Sequence, residues 1–532
     1  MKPALDEVKK MAQDKTYRRI PVYRELLADR FTPIEVMRTL RAASKHCYML
    51  ESADSHQKWG RYTFLGFDPL MELTCTNGKL RIRSGPQDEE EPDGDISLPE
   101  EGQQGEQSTQ TMEFSRVPEN IMEILSKPGT RYFYTDHPGQ VIRQILKAYK
   151  TPYVEGLPTF TGGLVGYFSY EYIQYGEPSL KNLFNEPGAF CDVDLMLFDR
   201  VIAFDHYRQQ LILIAGVDTG NVEASYTQAE EALDRIEQLL NSGAKAHFKP
   251  LHMEGTLENV FSKEEYCAMV EKAKHYIYEG DIFQVVLSNP MEVKATGSLF
   301  DAYRVLRTTN PSPYMFYFTS DHIEIAGASP ETLAKLDRGV LHTFPLAGTR
   351  PRGKNENEDA LLEQELLADE KERAEHNMLV DLGRNDLGKI SCLGSVKVEK
   401  YMQIQRFSHV MHIGTTVSGQ IAPDKDAVDA VDAILPAGTL SGAPKIRACQ
   451  IIRELEGRRR GVYGGAIGYL DFTGNLDTCI SIRLAYKKNG KICVQSGAGI
   501  VADSIPENEY TECRNKAQAV IGALTAAQGG IR

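Results

Sequence analysis

Between residues 61 and 502, strand patterns follow one another more often than they alternate with helices. That ordering most constrains what the chain can fold into. A parallel doubly wound sheet needs a crossover between successive strands, whereas antiparallel neighbours need only a turn. The expected class is therefore α+β. RYTFLGF (61–67) and MELTCTNGKLRIR (71–83) read as strands, the second folded back on an Asn-Gly turn. FTGGLVGYFSYEYI (160–173) is aromatic and punctuated by glycine. LMLFDRVIAFDHYRQQLILIAGV (195–217) reads as two strands around a polar turn, and DIFQVVLSNPMEV (281–293) as one strand. IEIAGASPETLAKL (323–336) and VLHTFPLAGTR (340–350) read as strands ending in turns. YGGAIGYLDF (463–472), TCISIRLAY (478–486) and KICVQSGAGIVA (491–502) complete the set.

Helical periodicity covers 33–43, 223–240, 360–389, 444–457 and 507–526. Ser262 and Glu265 form a capping box that opens a helix running to about 279. A polar stretch at 241–255 divides the sequence into an N-terminal lobe, 1–250, and a second domain, 256–526. At about 150 residues per domain, 532 residues fit two to four domains, and one interlocked unit is also compatible.

Composition excludes several classes. Hydrophobic residues are 42% and charged residues 25%, so the chain is neither disordered nor fibrous. No apolar run approaches the roughly 18 residues of a membrane span, and the N-terminus shows no apolar secretory core. Nine scattered cysteines without CxxC spacing fit free thiols, and a cytoplasmic location is expected. The net charge of −14 argues against nucleic acid and anionic membranes as partners. Residues 84–112 hold nine acidic and no basic residues, and read as a solvated insertion.

Two carboxylate pairs stand out. Glu372 and Glu375, and Glu509 and Glu512, are each spaced i,i+3 on a helix, which puts both side chains on one face. If the two faces meet, a hard divalent cation with oxygen ligands is the natural neutraliser. A single Glu-x-x-Glu is more often a solvated face. Gly497-Ala498-Gly499 follows a strand and loosely matches GxGxxA, but Pro506 follows where a nucleotide-binding helix would already have begun. The turn remains open to anion binding through backbone N–H groups. GTLSGAPK (438–445) fails the phosphate-loop pattern, and PLAGTRPRG (345–353) combines a Gly-Thr turn with two arginines. His412 sits on an alternating apolar segment, as a core histidine or a base. Arg483 lies within a strand pattern and needs an anion, either a protein carboxylate or a ligand. None of the cysteines has the Gly-x-Cys-x-Gly setting of a glutaminase nucleophile.

Nine motifs occur together in order: MLESAD (49–54), PYMFYF (313–318), GASPE (327–331), PLAGTRPRG, EHNMLVDLGRNDLGKI (375–390), HVMH (409–412), GTLSGAPK, RRRGVYGGAIGY (458–469) and QSGAGIVADS (495–504). They resemble the chorismate-utilising enzyme family, and within it the large components of anthranilate synthases. The resemblance is dense over 260–520 and thinner before it. It implies two orthogonally packed antiparallel sheets flanked by helices, with the site in a cleft. It implies conversion of chorismate and ammonia to anthranilate and pyruvate with Mg²⁺. By that resemblance Glu375 and Glu512 bind the metal directly, and Glu372 and Glu509 lie close by or bind through water. Arg483, Tyr463 and the Gly497–Ala498–Gly499 turn meet the enolpyruvyl carboxylate, and Gly348 and Thr349 form the other substrate turn. Glu331 matches the acid and His412 the base, while Thr439 lies in the same site.

Sister activities differ by one side chain each. Isochorismate and salicylate synthases carry a lysine where this chain has Gln284, which cannot act as a base on water. Aminodeoxychorismate synthase carries a lysine where this chain has Ala347. Ammonia as nucleophile and anthranilate as product are the expectation. The alternatives are aminodeoxychorismate synthesis and a non-catalytic ligand-binding protein. Ammonia should come from a glutamine amidotransferase partner, most simply in a heterotetramer. L-Tryptophan is the expected inhibitor, at Ser52 in MLES and at Pro313, Tyr314 and Met315.

Overall fold

The computed structural model describes the chain except residues 53–57, 86–113, 119, 126, 182, 185, 187–189, 407–409 and 532. Nearly all of the acidic stretch 84–112 thus lies outside the described residues. Helices and two large sheets make up the fold, which is α+β as the strand order implied. Among the described residues each sheet has 13 strands. Every strand pair in them is antiparallel except that of Phe114–Arg116 with Gly129–Tyr134.

Each sheet draws strands from both sides of residue 250. In the first, Cys47–Glu51 pairs with Tyr62–Phe67 on one side and Tyr314–Thr319 on the other. The order continues through Glu324–Ser329, Leu484–Lys488 and Lys491–Ile500 to Gln284–Thr296. In the second, Gly163–Phe168 joins Val193–Phe198 to Ala466–Asp471. Beyond those come Leu476–Ile480, Thr332–Asp337 and Val410–Gln420. Tyr48 of the first sheet meets Phe198 of the second edge to face, with centroids 4.7 Å apart. Phe64, Phe160, Val165 and Phe316 fill the same buried layer between the sheets.

Three segments read as continuous or paired strands instead carry the chain from one sheet to the other. The 195–217 run holds three strands, not two: Val193–Phe198 in the second sheet, then Arg200–Asp205 and Gln210–Asp218 in the first. TCISIRLAY breaks at residues 481–483 between Leu476–Ile480 and Leu484–Lys488. The third switch is Pro330–Glu331, between Glu324–Ser329 and Thr332–Asp337. Apolar alternation continues through such a corner because both flanking strands bury a face, so periodicity alone does not mark it. Helical expectations fared better. Pro33–Ala43, Val222–Asn241, Lys263–Tyr278 with its capping box, Lys445–Glu456 and Pro506–Ala527 all form. The 360–389 stretch splits into Glu356–Ala368 and Glu370–Gly388, because Asp369 caps the second helix by accepting from the N–H groups of Lys371 and Glu372.

Candidate active site

Two of these corners lie side by side and build the site. Ile480 N–H donates to Glu331 O at 3.0 Å, and Ala328 N–H donates to Arg483 O at 3.1 Å. Ser329 Oγ donates to Ile480 O at 2.7 Å and ties them further. Arg483 is therefore not inside a strand. It occupies the corner with φ of +51°, a region non-glycine residues rarely adopt.

The corner buries Glu331, and burial pushes its carboxyl up to about 8. Thr439, in the short turn Gly438–Leu440, donates to Glu331 Oε1 at 3.2 Å. Arg483 and Lys516 act in the same lowering direction without cancelling burial. A neutral carboxylic acid at pH 7 can give up a proton to a leaving group. Arg483 has no ion-pair partner within 4.0 Å among the described residues, so its half-buried guanidinium is open to an anion.

His412 faces the site from Val410–Gln420. Its Nδ1 lies 2.9 Å from Gly348 O and 3.1 Å from Thr349 Oγ1. A carbonyl can only accept, so Nδ1 carries the proton and Nε2 the lone pair. Burial pulls the imidazole down to about 4, so it is neutral at physiological pH. Gly348 and Thr349 form a bulge in Leu346–Pro351, where the register with Val410–Gln420 shifts between Ala347 and Arg350. Gly348 has φ of +66°, and a Cβ there would stand 3.1 Å from Glu372 Oε2. Base and carboxylate helix thus meet at this glycine.

Gly497, Ala498 and Gly499 lie within the strand read at 491–502, and not in the anion-binding turn also read there. They belong to the strand Lys491–Ile500 and pair with Ser288, Leu287 and Val286. The rejected nucleotide loop stays rejected, since the chain is still extended where that motif turns. Small side chains are required here by close approach. A Cβ on Gly497 would come within 3.0 Å of the Tyr463 hydroxyl, and one on Gly499 within 2.6 Å of Gln284 Nε2. Tyr463 is buried, which raises its phenol pKa.

Gln284 Nε2 donates to Glu375 Oε1 at 3.3 Å, while its buried Oε1 has no partner among the described residues. Glu372 and Glu375 lie on Glu370–Gly388, and Glu509 and Glu512 on Pro506–Ala527. Burial and then Glu375 raise the pKa of Glu372; burial and Glu512 raise that of Glu509. The charge of Lys371, on the first helix, reaches Glu509 on the second. No three of these glutamates bring ligand atoms within 4.8 Å of one another. Mutually repelling, all-oxygen carboxylates are a donor set suited to a hard divalent cation. Among the described residues, such a trio is instead His46, Glu72 and Asp321. There Arg81, 3.0 Å from Glu72, and Arg83, paired with Asp321, already neutralise the carboxylates.

Sequence reasoning missed Lys516, and noted Arg350 only as one of the two arginines of PLAGTRPRG. Lys516 Nζ lies 2.8 Å from Glu512 Oε1 and donates to Gly497 O at 3.2 Å. Its one legible signal is the i,i+4 spacing from Glu512. Arg350 lies 3.5 Å from Glu372 and 2.9 Å from Asp369. Away from the site, the two segments assigned to an inhibitor are adjacent strands, with Met315 opposite Glu51. Ser52 follows the first strand directly, and Pro313 precedes Tyr314 at the start of the second.

A neutral acid, a neutral imidazole, an arginine without an ion-pair partner and two pairs of glutamates fit an enzyme for an anionic, oxygen-rich small molecule. Comparison with known proteins sharpens that class. The family described as chorismate binding enzyme matches residues 101–522. Anthranilate synthase component 1 of Acetivibrio thermocellus is 42% identical over 100% of this chain and 99% of its own length. That of Aquifex aeolicus is 40% identical over 99% and 98%. The crystal structure of anthranilate synthase component I from Streptococcus pneumoniae superposes with a TM-score of 0.69 at 32% identity, covering 93% of this chain and 99% of that one. The chain belongs to the chorismate-binding enzyme family, on its anthranilate synthase component 1 branch.

Proposed function

We propose that this chain converts chorismate and ammonia to anthranilate and pyruvate, the first committed step of tryptophan biosynthesis. The observation that carries the reading is a neutral Glu331 held by Thr439 at the corner, with a neutral His412 on the strand Val410–Gln420 held by Gly348. End-to-end similarity to anthranilate synthase components supports it. Arg483 and Tyr463 hold the enolpyruvyl carboxylate, and Gly348 and Thr349 border the ring. Ammonia forms a bond to C2 while the C4–O bond breaks, Glu331 gives its proton to the departing hydroxyl, which leaves as water, and the new C2 ammonium loses a proton that restores Glu331. His412 then takes the C2 proton, the ring becomes aromatic, and the C3–O bond breaks to release enolpyruvate, which gains one proton at its methylene carbon as pyruvate while His412 returns to its neutral form. Gln284 in the wall leaves water without a base, which favours ammonia as nucleophile.

Glu375 and Glu512 would hold Mg²⁺ directly, with Glu372 and Glu509 beside it. Bound there, the cation would neutralise the ring carboxylate in an acidic protein and assist departure of the hydroxide. Ammonia reaches the site from a glutamine amidotransferase subunit, in a heterotetramer, and the complex works in the cytoplasm. L-Tryptophan inhibits it through the Ser52 and Pro313–Met315 segments.

The test is a fluorescence assay of the purified chain with chorismate, ammonium at alkaline pH and Mg²⁺. Anthranilate that forms with Mg²⁺ and vanishes with EDTA is the expected result. A different product by chromatography would move the reading to aminodeoxychorismate or isochorismate chemistry. Unconsumed chorismate would leave a ligand-binding protein.

A further inference from the structure

The buried ion pair between Arg460 and Glu456 has no place in the roles above, yet it touches the Thr439–Leu440 turn and the strand that carries Gln284. Both side chains are 1% exposed. Arg460 Nε and Nη2 donate to the two Glu456 oxygens at 2.9 and 2.5 Å. The rest of the fork reaches backbone: Nη1 donates to Leu440 O and Nη2 to Val286 O, each at 2.7 Å. Leu440 follows Thr439, the hydrogen-bond partner of Glu331. Val286 is two residues beyond Gln284 and pairs with Gly499. The guanidinium lies 4.7 Å from the ring centroid of Tyr170 and 5.8 Å from that of Tyr463. Glu456 also accepts from Ser288 N–H at 2.8 Å and Ser288 Oγ at 2.9 Å, and Ser288 pairs with Gly497. One guanidinium–carboxylate unit therefore bridges the Thr439 turn and the strand behind the glycines, with Tyr463 alongside.

Stability alone does not call for a charge here. A well-packed apolar pair of similar volume often serves as well as a buried ion pair or better. What an apolar pair lacks is the planar fork, whose fixed donor directions set distances between the carbonyls it binds.

We propose that Arg460, held by Glu456, is a positioning residue for the reaction, fixing the Thr439–Leu440 turn against the Gln284–Ser288 segment and so placing Thr439 on Glu331. The inference rests on the function proposed above. Arg460→Lys keeps a cation against Glu456 and loses the fork. It should lower kcat at least tenfold, with KM for chorismate changed less than threefold. The alkaline limb of the pH profile should move upward, because the Thr439 hydrogen bond lowers the Glu331 pKa and a slipped turn weakens it. Arg483 and Lys516, the charged groups that also act on Glu331, stay in place. The double variant E456M/R460M removes both charges and should fold while showing the same loss of kcat and the same shift. Wild-type kcat and an unmoved limb in folded Arg460→Lys or in the double variant would overturn the proposal. So would a double variant that does not fold, since the pair would then be structural. The unsubstituted chain in the same assay tests the functional reading separately: no anthranilate from it removes that reading, whereas normal turnover in the variants removes this inference alone.

Discussion

The Thr439 hydroxyl donates to Glu331 at 3.2 Å and moderates a carboxyl that burial drives up to about 8. Across the site, burial drives His412 down to about 4. The two shifts run in opposite directions from one cause, since burial disfavours whichever form is charged. Acid and base are thus both neutral over the same interval. At fixed free ammonia, kcat/KM for chorismate should be level from about pH 5 to 7. It should fall above about pH 8 as Glu331 loses its proton, and near pH 4 as His412 gains one. Glu331→Gln should lower the rate by about 10²–10⁴ and abolish the alkaline limb. A profile whose alkaline limb survives that substitution would assign it to another group.

His412→Ala should separate chemistry from binding. The imidazole contacts Gly348 and Thr349, while Arg483 lies on another element. Turnover should fall by about 10²–10⁴, and the chorismate Kd measured by calorimetry should change little. Unchanged turnover would remove the base assignment.

Stability should depend strongly on a buried pair away from the chemistry. Asp192 is fully buried, pairs with Arg459, and accepts from Asn77 N–H and the Tyr175 hydroxyl, each at 2.7 Å. It thereby locks the Asn-Gly turn of the second sheet to the segment before Gly461. Asp192→Ala strands a buried guanidinium whose other carboxylate, Glu171, is 3.9 Å away. A loss of about 3 kcal/mol is expected, read as a lower urea midpoint with unchanged slope. An unchanged midpoint would mean that Glu171 and solvent take over the charge.

Local rules made much of this legible. The Asn77-Gly78 turn and the Ser262 capping box form because their residues satisfy backbone geometry within a few positions. Glu331, His412 and Thr439 were singled out by resemblance, and the structure brings Thr439 onto Glu331 and His412 onto the Gly348–Thr349 bulge. The sheet-switching corners escaped, and with them the setting of Arg483. A change of sheet alters the partner strand, which alternation does not encode, while the inward face stays apolar. The strand over Gly497–Gly499 was legible, but the turn also read there was not borne out, for a related reason. Its glycines answer the close approach of Tyr463 and Gln284, which are distant in sequence, rather than a turn. Lys516 and Arg460 each have an acidic residue four positions back, Glu512 and Glu456, but their contacts to Gly497 O and Leu440 O are to backbone atoms brought near only by the fold.

Inhibition by tryptophan can be argued from the same geometry. Ser52 Oγ is buried with no hydrogen-bond partner among the described residues, beside a strand whose Glu51 is held by Arg307 at 2.7 Å. A buried hydroxyl left unpaired costs about 1–3 kcal/mol, which a ligand supplying a partner would recover. The neighbouring segment has a direct line to the chemistry. The Tyr314 hydroxyl bonds Thr332 at 2.9 Å and donates to Asp477 at 2.8 Å, and Thr332 follows Glu331 in the chain. A ligand that shifts Tyr314 would therefore act one residue from the acid. L-Tryptophan at about 1 mM, a concentration that half-fills a site of roughly −4 kcal/mol, should slow anthranilate formation at least twofold. Ser52→Ala should raise the inhibition constant by about 5- to 150-fold, the equivalent of the recovered 1–3 kcal/mol. The readout is the ratio of rates with and without tryptophan for each protein. An unchanged ratio in Ser52→Ala would place the inhibitor elsewhere, and a wild-type rate indifferent to tryptophan would remove the regulatory reading.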